Sequence, residues 1–166
     1  MNTRLRKLVL LSLLIAMIVL GANFKIMGSI ALDSFPAFIG TALLGPVFGM
    51  CLVFIGHMVS AYFAGFPLSF PIHLLISMMM MATMFGYGWV RKRDVKPSIS
   101  KIVLSNIVAY IGNVPLSLVI LIPFYGAAGI TPLLLPLTLA TVANLVITEF
   151  VFVSLPVSYK TKIAKL

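Results

Sequence analysis

The chain of 166 residues is 61% hydrophobic and only 9% charged, and its mean hydropathy is +1.18. A soluble domain of this length needs far more charge to cover its surface, so the composition excludes an ordinary soluble protein and predicts a membrane protein. The formal net charge of +9 does not indicate nucleic-acid binding, because the basic residues punctuate apolar runs and form no stripe with interleaved aromatic residues.

Six apolar runs follow one another along the chain. Six helices of about 20 residues leave only short connections, which predicts an all-α integral membrane protein with a single domain over residues 1–166. Gly45-Pro46 separates the second run from the third, since proline suits the first turn of a helix, and Pro115 predicts a kink in the fifth. The predicted spans are residues 4–23, 31–44, 46–64, 71–91, 98–123 and 132–158, with loops at 24–30, 65–70, 91–97 and 125–131.

The basic residues form three groups, at residues 4–7, 91–101 and 160–165, with Lys25 between the first and the second. Six crossings place all three groups on one side of the membrane, whereas five crossings separate them. Basic residues favour the cytoplasmic side. We therefore predict a compact bundle of six transmembrane helices with both termini and the basic loop in the cytoplasm.

The chain shows no pattern typical of a catalytic or metal-binding site. Two histidines and three acidic residues are scattered without an HExxH or CxxC spacing, and the sequence has neither a nucleophile elbow nor a phosphate-binding loop. The single cysteine, Cys51, lies in an apolar run and is predicted to be a small buried hydrophobic residue. We expect no catalytic residue, no metal and no cofactor, and a small binding module rather than an enzyme.

The few polar residues within the spans concentrate in the outward half of the membrane. Polar groups in hydrocarbon usually face a bundle interior or a cavity, so this asymmetry predicts a cavity that opens to the outside and has aromatic walls. The residues predicted to bind substrate there are Asp33, His57, Tyr62, Phe66, His73, Asn113 and Asn144.

Each of these polar residues also has a structural interpretation. His57 and the asparagines can hydrogen-bond between helices, and His73 can flank the water-accessible start of its helix. Asp33 can interact favourably with the dipole at a helix N-terminus. Glu149, the only carboxylate well inside a span, is either functional or paired. The sequence leaves these alternatives open.

Five short motifs occur in a fixed order, and the chain resembles the substrate-binding S components of energy-coupling factor (ECF) vitamin transporters over essentially its whole length. Within that family it is most similar to members assigned to α-ribazole, the nucleoside precursor of the lower ligand of cobalamin. The motifs lie at residues 31–38 (ALDSFPAF), 44–46 (LGP), 56–57 (GH), 65–68 (GFPL) and 71–75 (PIHLL).

The resemblance implies a substrate-specific subunit in the plasma membrane of a prokaryote. Such a subunit binds a vitamin or precursor from outside and delivers it inward when it docks on a transmembrane coupling subunit with two ATPases. Family members dock through an Ala-x-x-x-Ala-like motif on the first span, and the matching small residues here are Ser12 and Ala16. The alternatives are an S component for another B-vitamin, a small intramembrane enzyme, or a structural helper subunit.

Overall fold

The computed structural model describes residues 2–23, 25–26 and 30–166, and the rest of the predicted connection at 24–30 lies outside the described residues. The prediction of an all-helical membrane protein is confirmed, because four helical stretches are long and apolar enough to span a membrane. The only strands described are a short antiparallel pair, β1 (Lys25–Ile26) and β2 (Ile30–Ala31). The helices are α1 (Thr3–Asn23), α2 (Phe35–Leu44), α3 (Pro46–Phe63), α4 (Phe70–Arg91), α5 (Ile99–Ile111), α6 (Ser117–Ser154) and α7 (Val157–Ala164), and a π-helical turn (Gly112–Leu116) joins α5 to α6.

Helix α2 is shorter than the predicted second span, since it begins at Phe35 and not at residue 31. Its ten residues extend only about 15 Å, roughly half the hydrocarbon thickness of a bilayer. Residues 36–44 are all buried, so α2 is the centre of the bundle. The chain then turns sharply at Gly45, whose φ of +103° is unfavourable for residues with a side chain, and Pro46 opens α3.

Helix α6 contains a chain reversal at Gly126, which has a φ of +66°. The Tyr110 hydroxyl lies 3.3 Å from Thr138 Oγ1, although 28 residues of continuous helix would separate them by about 42 Å. The two arms of α6 on either side of Gly126 therefore run in opposite directions. The predicted loop at 125–131 contains the reversal but is too long, because a single glycine makes the turn and helix resumes at once.

Two prolines shape the π-helical turn and a helix end. Pro115 has no N–H to donate within its helix, and the chain forms a π-helical turn around it, where Ser117 Oγ donates to the carbonyl of Gly112 at 2.9 Å. Pro156 likewise cannot donate to the carbonyl of Phe152, and the Lys160 ammonium takes its place at 3.1 Å. The last span therefore ends at Ser154 and not at 158, and α7 follows as a separate helix.

One end of the bundle carries the basic groups and is called the basic end below. The Lys7 ammonium lies 4.9 Å from the centre of the Phe48 ring, which brings the starts of α1 and α3 together. Arg91 at the end of α4 forms a 2.7 Å ion pair with Glu149 of α6, and the Arg91 side chain is fully buried. Of the two interpretations of Glu149, the structure shows the paired one.

Cys51 is exposed on α3, so the prediction that it is buried is wrong. In a membrane, lipid tails are as apolar as the core of the protein. Hydrophobicity therefore does not distinguish the packed face of a helix from the lipid-facing one. Packed faces are instead marked by the buried polar groups, which include Thr41, Ser77, Ser105 and Thr148.

Candidate functional site

At the end opposite the basic end, a cavity of about 210 Å³ lies between α3, α4, the π-helical turn and both arms of α6. Five of the seven residues predicted to bind substrate line it: Asp33, His57, His73, Asn113 and Asn144. The rest of the wall is mainly apolar and includes Ile76, Met80, Leu118, Leu121, Leu133 and Leu137. No Lys or Arg occurs among the described residues that line the cavity.

The two histidines form a pair across α3 and α4. His57 Nε2 and His73 Nδ1 are 3.1 Å apart, and the other ring nitrogen of His73, Nε2, accepts a hydrogen bond from the backbone N–H of Leu68 at 3.5 Å. His73 therefore contacts both its partner helix and the connection that precedes its own helix. The suggested cross-helix hydrogen bond of His57 is present, and the same residue also faces the cavity.

The connection between α3 and α4, residues 64–69, covers the cavity through Pro67 and Leu68. Phe66 and Ser69 have positive φ angles of 50° and 73°, which non-glycine residues adopt at an energetic cost. Two contacts hold this shape: Ser69 N donates to Phe66 O at 2.8 Å, and the Tyr125 hydroxyl donates to Leu68 O at 2.9 Å. Tyr125 precedes the chain reversal at Gly126, so its hydrogen bond links this reversal to the connection at residues 64–69.

Asn144 fixes the other side of the cavity. Its Oδ1 accepts from the backbone N–H groups of Ser34 and Phe35 at 3.1 and 2.8 Å, and its Nδ2 donates to the carbonyls of Ala31 and Ala140 at 3.1 and 2.9 Å. These four bonds satisfy the amide and supply partners to the free N–H groups at the start of α2. Asn144 thus positions the segment that precedes α2 and has no hydrogen-bonding capacity left for a ligand.

Asn113 differs from Asn144 because its hydrogen bonds are incomplete. The side chain is 7% exposed, it lines the cavity, and its Oδ1 has no hydrogen-bond partner among the described residues. The π-helical turn around Pro115 holds it there. A buried amide oxygen without a partner costs about 1–3 kcal/mol, which a donor on a bound molecule would recover.

Asp33 lies just before α2, close to the helix N-terminus, as its structural interpretation requires. Its Oδ1 accepts a hydrogen bond from Ser34 Oγ at 2.9 Å, and both residues line the cavity. The carboxylate is therefore at once close to the helix dipole and part of the cavity wall.

The structure does not bring the two predicted aromatic residues into the cavity. Tyr62 is 68% exposed on the outside of α3, and Phe66 lies behind His73 with ring centres 5.8 Å apart. Sequence reasoning missed Ser34, Ser60, Ser117 and Thr141, which line the cavity. Helical spacing could have predicted two of them. Ser60 is three residues after His57 and Thr141 is three residues before Asn144, so each shares a helix face with a residue predicted to line the cavity.

A second surface of interest is the exposed face of α1. Ser12 and Ala16 are exposed, whereas Leu14, Ile18, Gly21 and Ala22 turn inward. The two small residues are four apart and share one face of the helix. Small residues let another helix approach closely in a membrane, so α1 presents a surface that fits a partner helix.

Within the described ranges, no group of three or more His, Cys, Asp or Glu side chains could hold a metal ion.

A family model described as ECF transporter, substrate-specific component, matches residues 6–162. The comparisons with curated proteins and with solved structures gave no match.

Proposed function

Since this chain belongs to the family of ECF transporter substrate-specific components, we propose that its cavity binds α-ribazole from outside the cell and that the protein delivers it inward. The family makes the chain the substrate-specific membrane subunit of an ECF importer, which works with a small-molecule substrate and an ECF module, and not an enzyme. The identity of the substrate is our proposal. Another B-vitamin or vitamin precursor is the alternative.

The observation that carries the proposal is the composition of the cavity wall. Apolar side chains form most of it, polar groups occur at a few positions, and cationic groups are absent from its described lining. Such a wall suits a small, flat, uncharged molecule with a few polar atoms. A nucleoside with an aromatic base fits this description: the base packs against the apolar wall, and ribose hydroxyls reach Asn113, His57 or Asp33.

The first prediction tests this site. His57→Ala and Asn113→Ala should each weaken the binding of α-ribazole to the purified protein by about 1–3 kcal/mol, or roughly 5- to 150-fold, because each removes a polar partner in a mainly apolar cavity. Isothermal titration calorimetry in detergent measures the change.

Tyr62→Ala is the matched control, since Tyr62 points away from the cavity, and its affinity should stay within about twofold of the original. If all three variants bind as the original protein does, the substrate is held elsewhere.

We further propose six crossings with both termini in the cytoplasm. The contacts between Lys7 and Phe48, and between Arg91 and Glu149, bring the starts of α1 and α3 to one end together with the end of α4 and the second arm of α6. Lys160 joins them, with its ammonium 4.6 Å from the centre of the Phe152 ring. Basic residues collect on the cytoplasmic side of membrane proteins, which supports the basic end as the inner one and the plasma membrane of a prokaryote as the location.

The second prediction tests this orientation. In a Cys51→Ser background, single cysteines at Lys96 and Lys162, both exposed, should resist a membrane-impermeant thiol reagent in intact cells. A cysteine at Ala128, exposed beside the chain reversal, should react. Labelling that puts the Lys96 and Lys162 positions on opposite sides would exclude six crossings.

A further inference from the structure

The direction of the hydrogen bonds in the histidine pair follows from one backbone group. The N–H of Leu68 only donates, so His73 Nε2, 3.5 Å away, is an acceptor. A neutral imidazole has one donor and one acceptor nitrogen, so His73 carries its hydrogen on Nδ1 and donates it to His57 Nε2 at 3.1 Å. His57 in turn carries its hydrogen on Nδ1, and no described residue accepts a hydrogen bond from that atom.

A charged form of either ring conflicts with this arrangement. An imidazolium donates from both nitrogens, so a charged His73 would direct a second N–H at the N–H of Leu68. A charged His57 would direct its Nε2–H at the Nδ1–H of His73. Both rings are therefore neutral, in keeping with the high cost of charge in an apolar surrounding.

Hydrogen bonds hold the peptide units around Leu68 in place, so its N–H keeps its direction toward His73. The Tyr125 hydroxyl donates to Leu68 O at 2.9 Å, and the turn closes through the 2.8 Å bond from Ser69 N to Phe66 O. The connection at 64–69 and Tyr125 of α6 thus determine on which nitrogen His57, a residue of α3, carries its hydrogen.

We infer that the cavity offers a fixed hydrogen-bond donor, the Nδ1–H of His57, and an acceptor, the amide oxygen of Asn113, and so selects a ligand without negative charge that carries both an acceptor and a donor. Asn113 lines the cavity; its buried amide oxygen lacks a partner among the described residues, and a flip of the amide exchanges the oxygen with the nitrogen. The described lining holds no Lys or Arg to balance an anion. The ligand class is a heteroaromatic without negative charge that carries an unprotonated ring nitrogen or carbonyl oxygen, and a hydroxyl or N–H group. This inference rests on the proposed function of the cavity as the substrate site.

Nitrogen NMR of the histidine side chains tests the donor without a ligand, because the chain contains only two histidines. In protein labelled with ¹⁵N-histidine and held in lipid nanodiscs, both rings should show a protonated Nδ1 and an unprotonated Nε2. A His57 ring protonated on Nε2, or a charged ring, would overturn the inference.

Two substitutions at His73 show whether the hydrogen bonds from Leu68 to His73 and from His73 to His57, called the relay below, place the hydrogen of His57 on Nδ1. His73→Asn places an amide N–H where Nδ1–H was, so His57 should keep its hydrogen on Nδ1. His73→Leu removes the donor, and His57 should change to the Nε2–H form that an unconstrained histidine favours. A His57 signal that is the same in both variants would contradict the relay.

Binding of α-ribazole to two His57 variants tests the link to ligand choice. Asparagine keeps an N–H near the position of Nδ1, whereas glutamine places its amide near Nε2, so His57→Asn should lose less than about tenfold in affinity and His57→Gln at least tenfold more. Equal losses would overturn the inference. If the expected NMR state is found and the original protein does not bind α-ribazole, the proposed substrate is wrong and the donor remains.

Discussion

A tryptophan at Ser12 or Ala16 should abolish cellular uptake of α-ribazole while leaving the affinity of the isolated protein within about twofold. As a substrate-specific component of an ECF transporter, the protein works with an ECF module, so transport requires contact with that module. Both positions are exposed on α1, and we propose that docking uses the close helix contact that small residues permit. A bulky indole would hold the partner helix away. Uptake assays and co-purification with the ECF module measure the effect.

The matched control is Leu104→Trp, which places the same bulk on α5 at a residue that is 52% exposed. It should neither reduce uptake nor weaken co-purification. Normal uptake by the Ser12→Trp, Ala16→Trp double variant would show that this face of α1 does not dock. Loss of α-ribazole binding in the isolated variant would show instead that α1 packs into the bundle there.

Removing the carboxylate of Glu149 should have the largest effect on stability. Arg91 is fully buried and forms a 2.7 Å ion pair with Glu149, and its guanidinium also lies 4.8 Å from the centre of the Phe152 ring. Breaking a buried pair by removing one partner costs about 3–5 kcal/mol, because the remaining charge stays buried without compensation. Glu149→Ala should therefore aggregate at a markedly lower temperature in detergent.

A double variant separates the cost of an unpaired charge from the loss of the pair itself. Arg91→Met with Glu149→Leu removes both charges and keeps most of the volume, so it should be more stable than Glu149→Ala alone. Glu149→Gln should fall between them, since it keeps an acceptor for Arg91 but loses the charge. Equal loss of stability in the double variant and in Glu149→Ala would show that the charge of Arg91 is not the cause.

The helical character of the chain could be predicted from the sequence because the bilayer requires long apolar helices, and the two strongest breaks were visible. Gly45-Pro46 lies at the turn that it predicts, and Pro115 lies in the π-helical turn. Helix ends were less accurate. Nothing in the sequence shows that Gly126 alone reverses the chain, or that Lys160 replaces the N–H that Pro156 lacks.

For the candidate site, depth in the membrane located the polar residues but not their roles. Asn113 and Asn144 looked alike in sequence, yet Asn144 uses its whole amide on backbone groups, whereas the oxygen of Asn113 has no partner in the described part of the chain. The difference comes from tertiary contacts across more than 100 residues. Tyr62 was placed in the cavity by its depth alone, and depth does not say toward which side of a helix a residue points.

The measurement that tests the central claim most directly is mass spectrometry of small molecules released when the purified protein is denatured. A substrate-specific subunit should release about one uncharged, vitamin-like molecule per chain, and the double variant His57→Ala, Asn113→Ala should release far less. The account would be contradicted if well-folded original protein released no such molecule after purification from cells supplied with α-ribazole. So would the release of a cleaved lipid or peptide, because such a product would identify the protein as an enzyme.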